Sequence, residues 1–536
     1  MSKRAKNQTA HEEEISRRDA IKGLGGLIAA SALTAQAGAT PAGETGGRAQ
    51  SGTARGGTGT LPKQPNILWI TGEGVPLSTL SCYGSKLIET PNIDRIAKEG
   101  VRFENAFCTN GLCAPSRATL LTGTYSHING MTGNPDVPDI PKDEMPHFDP
   151  AQETFVKILK RNGYQTGMVG KWHLPVNPAK TGFDYFVFKE GAGGPYYNPD
   201  GFLGNPSLGS EEIQKYHYEG YETDVMTDLV IKGMQQFKQP FLMMVQYFNA
   251  HRPFDPPHKY EHLYDKVRIP EPGTFWDDYE HRASPARVAR MRIEDMPDFN
   301  PAADLTGRQR KQWNYQRFME HFLGTLRSQD DNIGRLLEYL EKNGLAENTI
   351  IVYTTDHGFF MGDHGWFDKR FMYEQAIRVP WMIRCPGISD QGSVRSDWVI
   401  NIDNAPTVLD LVGLPIPPEM QGRSIVPALR GTGAQSEAPS FYYHYYEFGA
   451  PHWAAPHYGI RTDRYKLISY YNRNEWELFD LEKDPDEMES LIIDNGRRVQ
   501  PGYEAIVQDL VSQLRQIRER YKDTTGRPVE LHLLGD

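Results

Sequence analysis

Apolar positions along the chain fall into two patterns, short continuous runs and stretches spaced by three and four. Asn66-Ile67-Leu68-Trp69-Ile70 is apolar on both sides of its backbone and breaks into Thr71-Gly72-Glu73-Gly74. That is the pattern of a strand covered on both faces that opens into a turn. Residues 152–162 place Phe155, Ile158 and Leu159 at helical spacing, and Gly163 supplies the stop. Tyr164 to Val169 reads as a strand running into Gly170-Lys171-Trp172-His173, and Phe241 to Phe248 as another ending in Asn249-Ala250-His251-Arg252-Pro253. A long helix is predicted over His321–Lys342, with Phe322, Leu326, Ile333, Leu336, Leu337 and Leu340 inward. Thr349 to Thr354 is the last clear strand of this kind and ends in Asp356-His357-Gly358.

Strand alternating with helix predicts an α/β fold: a large, mainly parallel sheet sandwiched by helices. Each of four strands delivers a His, Lys, Asp or Glu just past its carboxyl end, where open α/β sheets bind their ligands. One such residue alone reads equally well as a helix cap or a loop side chain; four together favour a site. Beyond about residue 435 the texture changes. Phe441 to Tyr446, Tyr458 to Tyr471 and Trp476 to Asp480 read as twisted, aromatic-rich antiparallel strands, closed by an amphipathic helix from Ala505 to Tyr521. The expected organisation is a catalytic domain over residues 65–434 and a smaller C-terminal α+β subdomain over 435–536.

Composition narrows the partners. The 536 residues carry 58 Lys and Arg against 69 Asp and Glu, a net charge of −11, which argues against nucleic-acid binding through phosphate neutralisation. Four cysteines in so long a chain cannot make a disulfide framework, and no apolar run is long enough to anchor the chain in a membrane. At the amino end, Ser16-Arg17-Arg18-Asp19-Ala20-Ile21-Lys22 precedes an apolar stretch and Ala-Gln-Ala and Ala-Gly-Ala cleavage signals. Residues 1–39 are therefore read as a twin-arginine signal and 40–64 as a Gly/Ser/Thr-rich linker, with the periplasm or exterior of a bacterium as destination.

Cys113-Ala114-Pro115-Ser116-Arg117 opens a helical pattern, Ala118-Thr119-Leu120-Leu121-Thr122-Gly123. Pro115 suits a first helical turn, and Ser116 can satisfy free amides there. Cys113 thus stands at a helix start, where the backbone dipole favours an anion. With these neighbours the chain resembles the sulfatase family, whose C-x-P-S-R cysteine is oxidised to formylglycine by a maturation enzyme. The resemblance runs from Pro65 to Asp486 and rests on Asn66–Glu73, Cys113–Gly123, Gly170–His173, His251–Phe254, Asp356–Gly358 and Lys369, in the family's order.

The resemblance implies that the aldehyde hydrate at Cys113 is the nucleophile, that Arg117 holds it and that Lys171 binds sulfate oxygens. His173 would take the proton that drives sulfate elimination, and His251 and Lys369 would stabilise or protonate the leaving oxygen. Glu73, Cys113, Asp356 and His357 would hold a divalent cation, calcium in this family. The family's second acid after the first strand is here Gly74. That loss removes a ligand from a hard cation and suggests that Gly74→Asp would tighten metal binding. Motifs around Tyr221–Val225, Asp255–Pro257 and Tyr442–Glu447 look like the branch acting on 6-O-sulfated N-acetylglucosamine of glycosaminoglycan or mucin-type glycans. His444, His457 and Arg461 are the expected substrate-reading side chains. Two other readings stand beside a sulfated-saccharide hydrolase: a phosphonate or phosphate monoester hydrolase of the same superfamily, and a non-catalytic binder of sulfated glycans.

Overall fold

The computed structural model describes residues 63–136, 145–189, 191, 193–204, 213–388, 390–432, 440–449 and 452–531. The signal and most of the linker expected at the amino end lie outside the described residues. Sixteen strands organise the site. They are β1 (Asn66–Gly72), β2 (Val101–Phe107), β3 (Gln165–Lys171), β4 (Tyr185–Lys189), β5 (Asp200–Gly204), β6 (Gln214–His217), β7 (Phe241–Gln246), β8 (Thr349–Thr355), β9 (Phe360–Met361), β10 (Phe367–Asp368), β11 (Trp381–Arg384), β12 (Ser393–Ile400), β13 (Ser440–Tyr445), β14 (His457–Thr462), β15 (Tyr465–Tyr470) and β16 (Glu475–Asp480).

Ten of them form one sheet in the order β12-β2-β11-β8-β1-β7-β3-β4-β5-β6. Its centre is parallel: β1 pairs with β7 and β8, and β3 with β7 and β4. Strand β11 runs antiparallel between β2 and β8, and β5 and β6 make an antiparallel edge, so the sheet is mixed. Alternation explains why β1 reads as a continuous apolar run. Ile67 and Trp69 enter the core on one face, and Leu68 and Ile70 the core on the other.

The long helix is Gly307–Lys342, beginning fourteen residues before the sequence expectation. Arg308, Arg310 and Lys311 mask its first turns, but Tyr315, Phe318 and Met319 continue the buried stripe of Phe322, Leu326 and Ile333. Strands β13-β14-β15-β16 form a separate antiparallel sheet, against which the helix Glu504–Arg520 packs through Val507, Leu510, Val511 and Leu514. No described helix is long and apolar enough to cross a membrane.

Candidate active site

The carboxyl ends of the central parallel strands converge on one point. β1 delivers Glu73, β3 ends in Lys171 with His173 two residues on, β7 leads to His251, and β8 leads to Asp356 and His357. The loop after β2 leads into the helix Cys113–Thr122, whose every residue is buried, and puts Cys113 at its first position. The short β9–β10 hairpin turns Lys369 back toward the same point. The backbone is left-handed at His173 (φ 59°), Asp368 (φ 76°) and Arg370 (φ 112°), so the chain is bent against its preference where it presents His173 and flanks Lys369.

Cys113 Sγ lies 2.9 Å from Glu73 Oε1 and 3.4 Å from His357 Nε2. Lys171 Nζ donates to Glu73 Oε1 at 2.9 Å. Arg117 uses its donors on the carboxylates and the sheet end rather than on Cys113. Nη2 reaches Glu73 Oε2 at 2.7 Å and Asp356 Oδ2 at 3.0 Å, and Nη1 reaches Gln246 Oε1 at 2.7 Å and the Lys171 carbonyl at 2.8 Å. It ties together the ends of four strands and aims both carboxylates. Ser116 does not cap the helix. Its hydroxyl donates to the Asp356 carbonyl, and the free Ala114 amide donates instead to Asn134 Oδ1 at 3.1 Å.

Electrostatics separate Cys113 from the other cysteines. Burial pushes the thiols of Cys82, Cys108 and Cys385 upward. Burial and Glu73 act in the same direction on Cys113, but Lys171, Lys369 and His173 outweigh them and hold it well below the ordinary thiol value. Lys369 stays charged against its burial because Asp368 and Cys113 are beside it. His251 is driven down to about 4 by burial and by Lys171, so it is neutral at pH 7 in the substrate-free protein.

The donor set fits a divalent cation. One atom from each of Glu73, Cys113, Asp356 and His357 lies within 4.8 Å of the others, all in buried side chains. His357 Nδ1 sits 2.7 Å from the Gly358 carbonyl, so a proton there leaves Nε2 as the ligand atom facing Cys113, Glu73 and Asp356. Burial and the neighbouring Glu73 raise the Asp356 carboxyl, the strain that a shared cation relieves. Gly74 is not an open ligand position. Its φ is +58°, and a Cβ there would stand 3.0 Å from the Phe359 ring and 3.2 Å from His357 Cε1. An Asp at 74 would press on the His357 ring, so Gly74→Asp could add a ligand only by shifting His357.

Three expected substrate-reading residues lie elsewhere. His444 Nδ1 is 2.9 Å from Asp523 Oδ2 and 2.9 Å from the Tyr442 hydroxyl. His457 is fully buried, its Nδ1 facing the Ala455 carbonyl at 2.8 Å, with its ring stacked on Tyr443. Arg461 pairs with Glu374 at 3.2 Å and lies over the Phe107 and Trp398 rings. Among the described residues, no hydrogen bond or ion pair links any of the three to the Cys113 cluster. His444 and Arg461 spend their polar groups on packing the small sheet and His457 is enclosed within it, whereas the sequence had placed all three in the substrate pocket.

Sequence reasoning missed a second set that touches the site: Gln246, Asn134 and Asp136. His173 Nε2 is 3.1 Å from Asp136 Oδ1. Asn134 N donates to Glu447 Oε1 at 2.6 Å, and Glu447 Oε2 accepts from Arg370 Nη1 at 2.8 Å, beside Lys369. For Asn134 and Asp136 the only signal was the Gly133-Asn134-Pro135-Asp136 turn, which carries no periodicity.

Residues 65–414 match the family model described as Sulfatase, and residues 362–520 match N-sulphoglucosamine sulphohydrolase, C-terminal. The chain is 38% identical over 513 residues to the N-acetylglucosamine-6-O-sulfatase of Bacteroides thetaiotaomicron, covering 86% of this chain and 87% of that protein. It is 27% identical over 493 residues to an arylsulfatase of Clostridium perfringens, covering 86% and 96%. A solved structure in complex with its substrate, D-glucosamine-2-N,6-O-disulfate, aligns with a TM-score of 0.78 at 37% identity, over 87% of this chain and all of that one.

Proposed function

From its membership of the sulfatase family, which makes the chain a sulfuric ester hydrolase, we propose that this protein removes the 6-O-sulfate of N-acetylglucosamine or a closely related glucosamine, using a formylglycine made from Cys113 and a divalent cation. The observation that carries the chemistry is the convergence on Cys113 of two lysines, two histidines and the Glu73–Asp356–His357 donor set. The similarity to an N-acetylglucosamine-6-O-sulfatase and to a structure holding a 6-O-sulfated glucosamine supports the sugar class.

A sulfate monoester spreads one negative charge over several oxygens, so its site needs cations and donors more than a strong base. Lys171 and Lys369 supply fixed positive charge around Cys113, buried where it acts at low dielectric. One hydroxyl of the Cys113 hydrate attacks sulfur, and the leaving sugar oxygen receives its proton from the Lys369 and His251 side. Lys369 carries that proton already, whereas His251 is neutral in the substrate-free protein. His173 takes the proton of the second hydroxyl as sulfate is eliminated and the aldehyde returns. Arg117 and Gln246 hold the surrounding carboxylate and carbonyl groups in place. A bound divalent cation, calcium being the family's ion, would be held by Glu73, Cys113, Asp356 and His357 and would supply Lewis-acid polarisation.

The maturation enzyme is the one protein partner this chemistry requires. Export through the twin-arginine signal in residues 1–39, to the periplasm or beyond, suits a protein that must be modified while folding. A sulfate-release screen over defined 6-O-, 2-O- and 4-O-sulfated saccharides tests the reading. Turnover restricted to the 6-O-sulfated glucosamines is expected; preference for a 2-O- or 4-O-sulfate would overturn the sugar assignment.

A further inference from the structure

His173 follows β3 with its backbone in the left-handed region (φ 59°), which turns the ring inward. Its side chain is 1% exposed, Nε2 is 3.1 Å from Asp136 Oδ1, and Nδ1 is buried with no hydrogen-bond partner. The ring also interacts with the Cys113 side chain. A proton on Nε2 shared with a carboxylate leaves Nδ1 as the ring's bare lone pair, inside the site and unsatisfied by the protein.

Asp136 stands at the end of a turn that is itself held. Two residues earlier, Asn134 is fixed at both ends, its Oδ1 by the Ala114 amide at the start of the Cys113 helix and its amide by Glu447 Oε1. Gly133 runs so close to Glu447 that a Cβ would come within 2.9 Å of it. The same Glu447 binds Arg370, the neighbour of Lys369. This turn therefore connects the nucleophile, the proton acceptor and the leaving-group side in one rigid chain of contacts.

We propose that Asp136 is a positioning residue for His173, fixing the tautomer and ring orientation with which His173 accepts the hydrate proton during sulfate elimination. The inference rests on the formylglycine reading given above. In that step the O–H proton of the free hydroxyl passes to His173, and the O–H electron pair becomes the second bond of the aldehyde. The carbon–oxygen bond to sulfate then breaks, and sulfate departs with that bond's electron pair. Asp136 faces the imidazolium that results, as carboxylate partners of catalytic histidines do.

The matured enzyme and its Asp136→Asn and Asp136→Glu variants would be assayed on N-acetylglucosamine-6-sulfate, with acid-quenched digests read by mass spectrometry at the Cys113 peptide. The expected result for Asp136→Asn is a fall in kcat on the order of 10- to 100-fold at nearly unchanged KM. The sulfated Cys113 peptide should accumulate during turnover, and Asp136→Glu should recover part of the rate. Unchanged kcat, or a loss confined to KM without the sulfated peptide, would overturn the proposal and make Asp136 a substrate contact or a bystander. Each digest also reports the aldehyde. Aldehyde in both proteins with no accumulated adduct would refute the Asp136 role alone, whereas active wild type with unmodified Cys113 would refute the formylglycine reading and this role together.

Discussion

The carboxyl end of the large sheet and the small C-terminal sheet bury similar residue types in opposite ways. In the small sheet the buried charges close into balanced groups: Arg461 and Lys466 share Glu374, Lys466 also pairs with Glu487, and His444 pairs with Asp523. At Cys113 one carboxylate, Glu73, serves Arg117, Lys171 and the cysteine itself, while Asp356 is raised beside it. The first arrangement is locally closed and stabilises a fold. The second is over-determined, with like charges close together and a lone pair of His173 unsatisfied, and it becomes balanced when substrate and cation arrive. Neither burial nor sharing of titratable groups alone marks a site; their convergence on one nucleophile at the sheet's carboxyl end does.

The largest effect should come from the frustrated region. Cys113→Ser should lose on the order of 10³-fold or more in steady-state kcat while folding normally, because a serine sulfate ester lacks the second hydroxyl needed for elimination. Circular dichroism beside a sulfate-release assay checks it, and wild-type turnover in the serine variant would erase the contrast between the two regions. Lys369→Ala should lose roughly 10²- to 10³-fold on a sugar sulfate and much less on nitrophenyl sulfate, whose phenolate leaves without a proton. Equal losses on both would move Lys369 from the leaving group to sulfate binding.

In the paired region the same kind of truncation should act on stability instead. Arg461→Ala leaves the buried Glu374 with one cation fewer and should cost about 1–3 kcal/mol in denaturant unfolding, with KM unchanged. A raised KM with intact stability would return Arg461 to the substrate pocket. Acid should also destabilise the fold through the buried histidines of the small sheet. Burial holds His457 down at about 3 and His444 at about 4, below the ordinary histidine value near 6.5. The unfolded chain therefore takes up protons below about pH 6.5 that the folded one refuses, so stability falls as the pH is lowered through that window. For His457 the loss between pH 7 and pH 5 is about 2 kcal/mol. Melting curves of wild type and His457→Phe at both values should show a flatter pH dependence in the variant; identical slopes would mean that His457 is not held neutral.

What could be read from the chain follows the same division. Strands β1, β3, β7 and β8 are buried on both faces, so each leaves a continuous apolar run followed by its functional residue, and Glu73, Lys171, His173, His251, Asp356 and His357 were visible at those ends. Lys369 came only with the family resemblance, because its β9–β10 hairpin is too short to carry a pattern. Asn134 and Asp136 were not legible, since a loop brings them in with no period to announce them. His444 and Arg461 misled for the converse reason. A histidine or arginine among tyrosines has the composition of a sugar pocket and of a tightly packed sheet alike, and only the partners Asp523 and Glu374, distant in sequence, distinguish them. Gly74 was read as a missing ligand, whereas its lack of a side chain makes room for the ring of His357.

The central claim is that Cys113 works as an aldehyde hydrate. Peptide mass spectrometry of active enzyme, produced together with a formylglycine-generating enzyme, tests it most directly. An aldehyde or its hydrate is expected on the peptide containing Cys113 through Arg117, in a fraction that scales with specific activity across preparations. Full activity in a preparation whose Cys113 is wholly an unmodified thiol would contradict it.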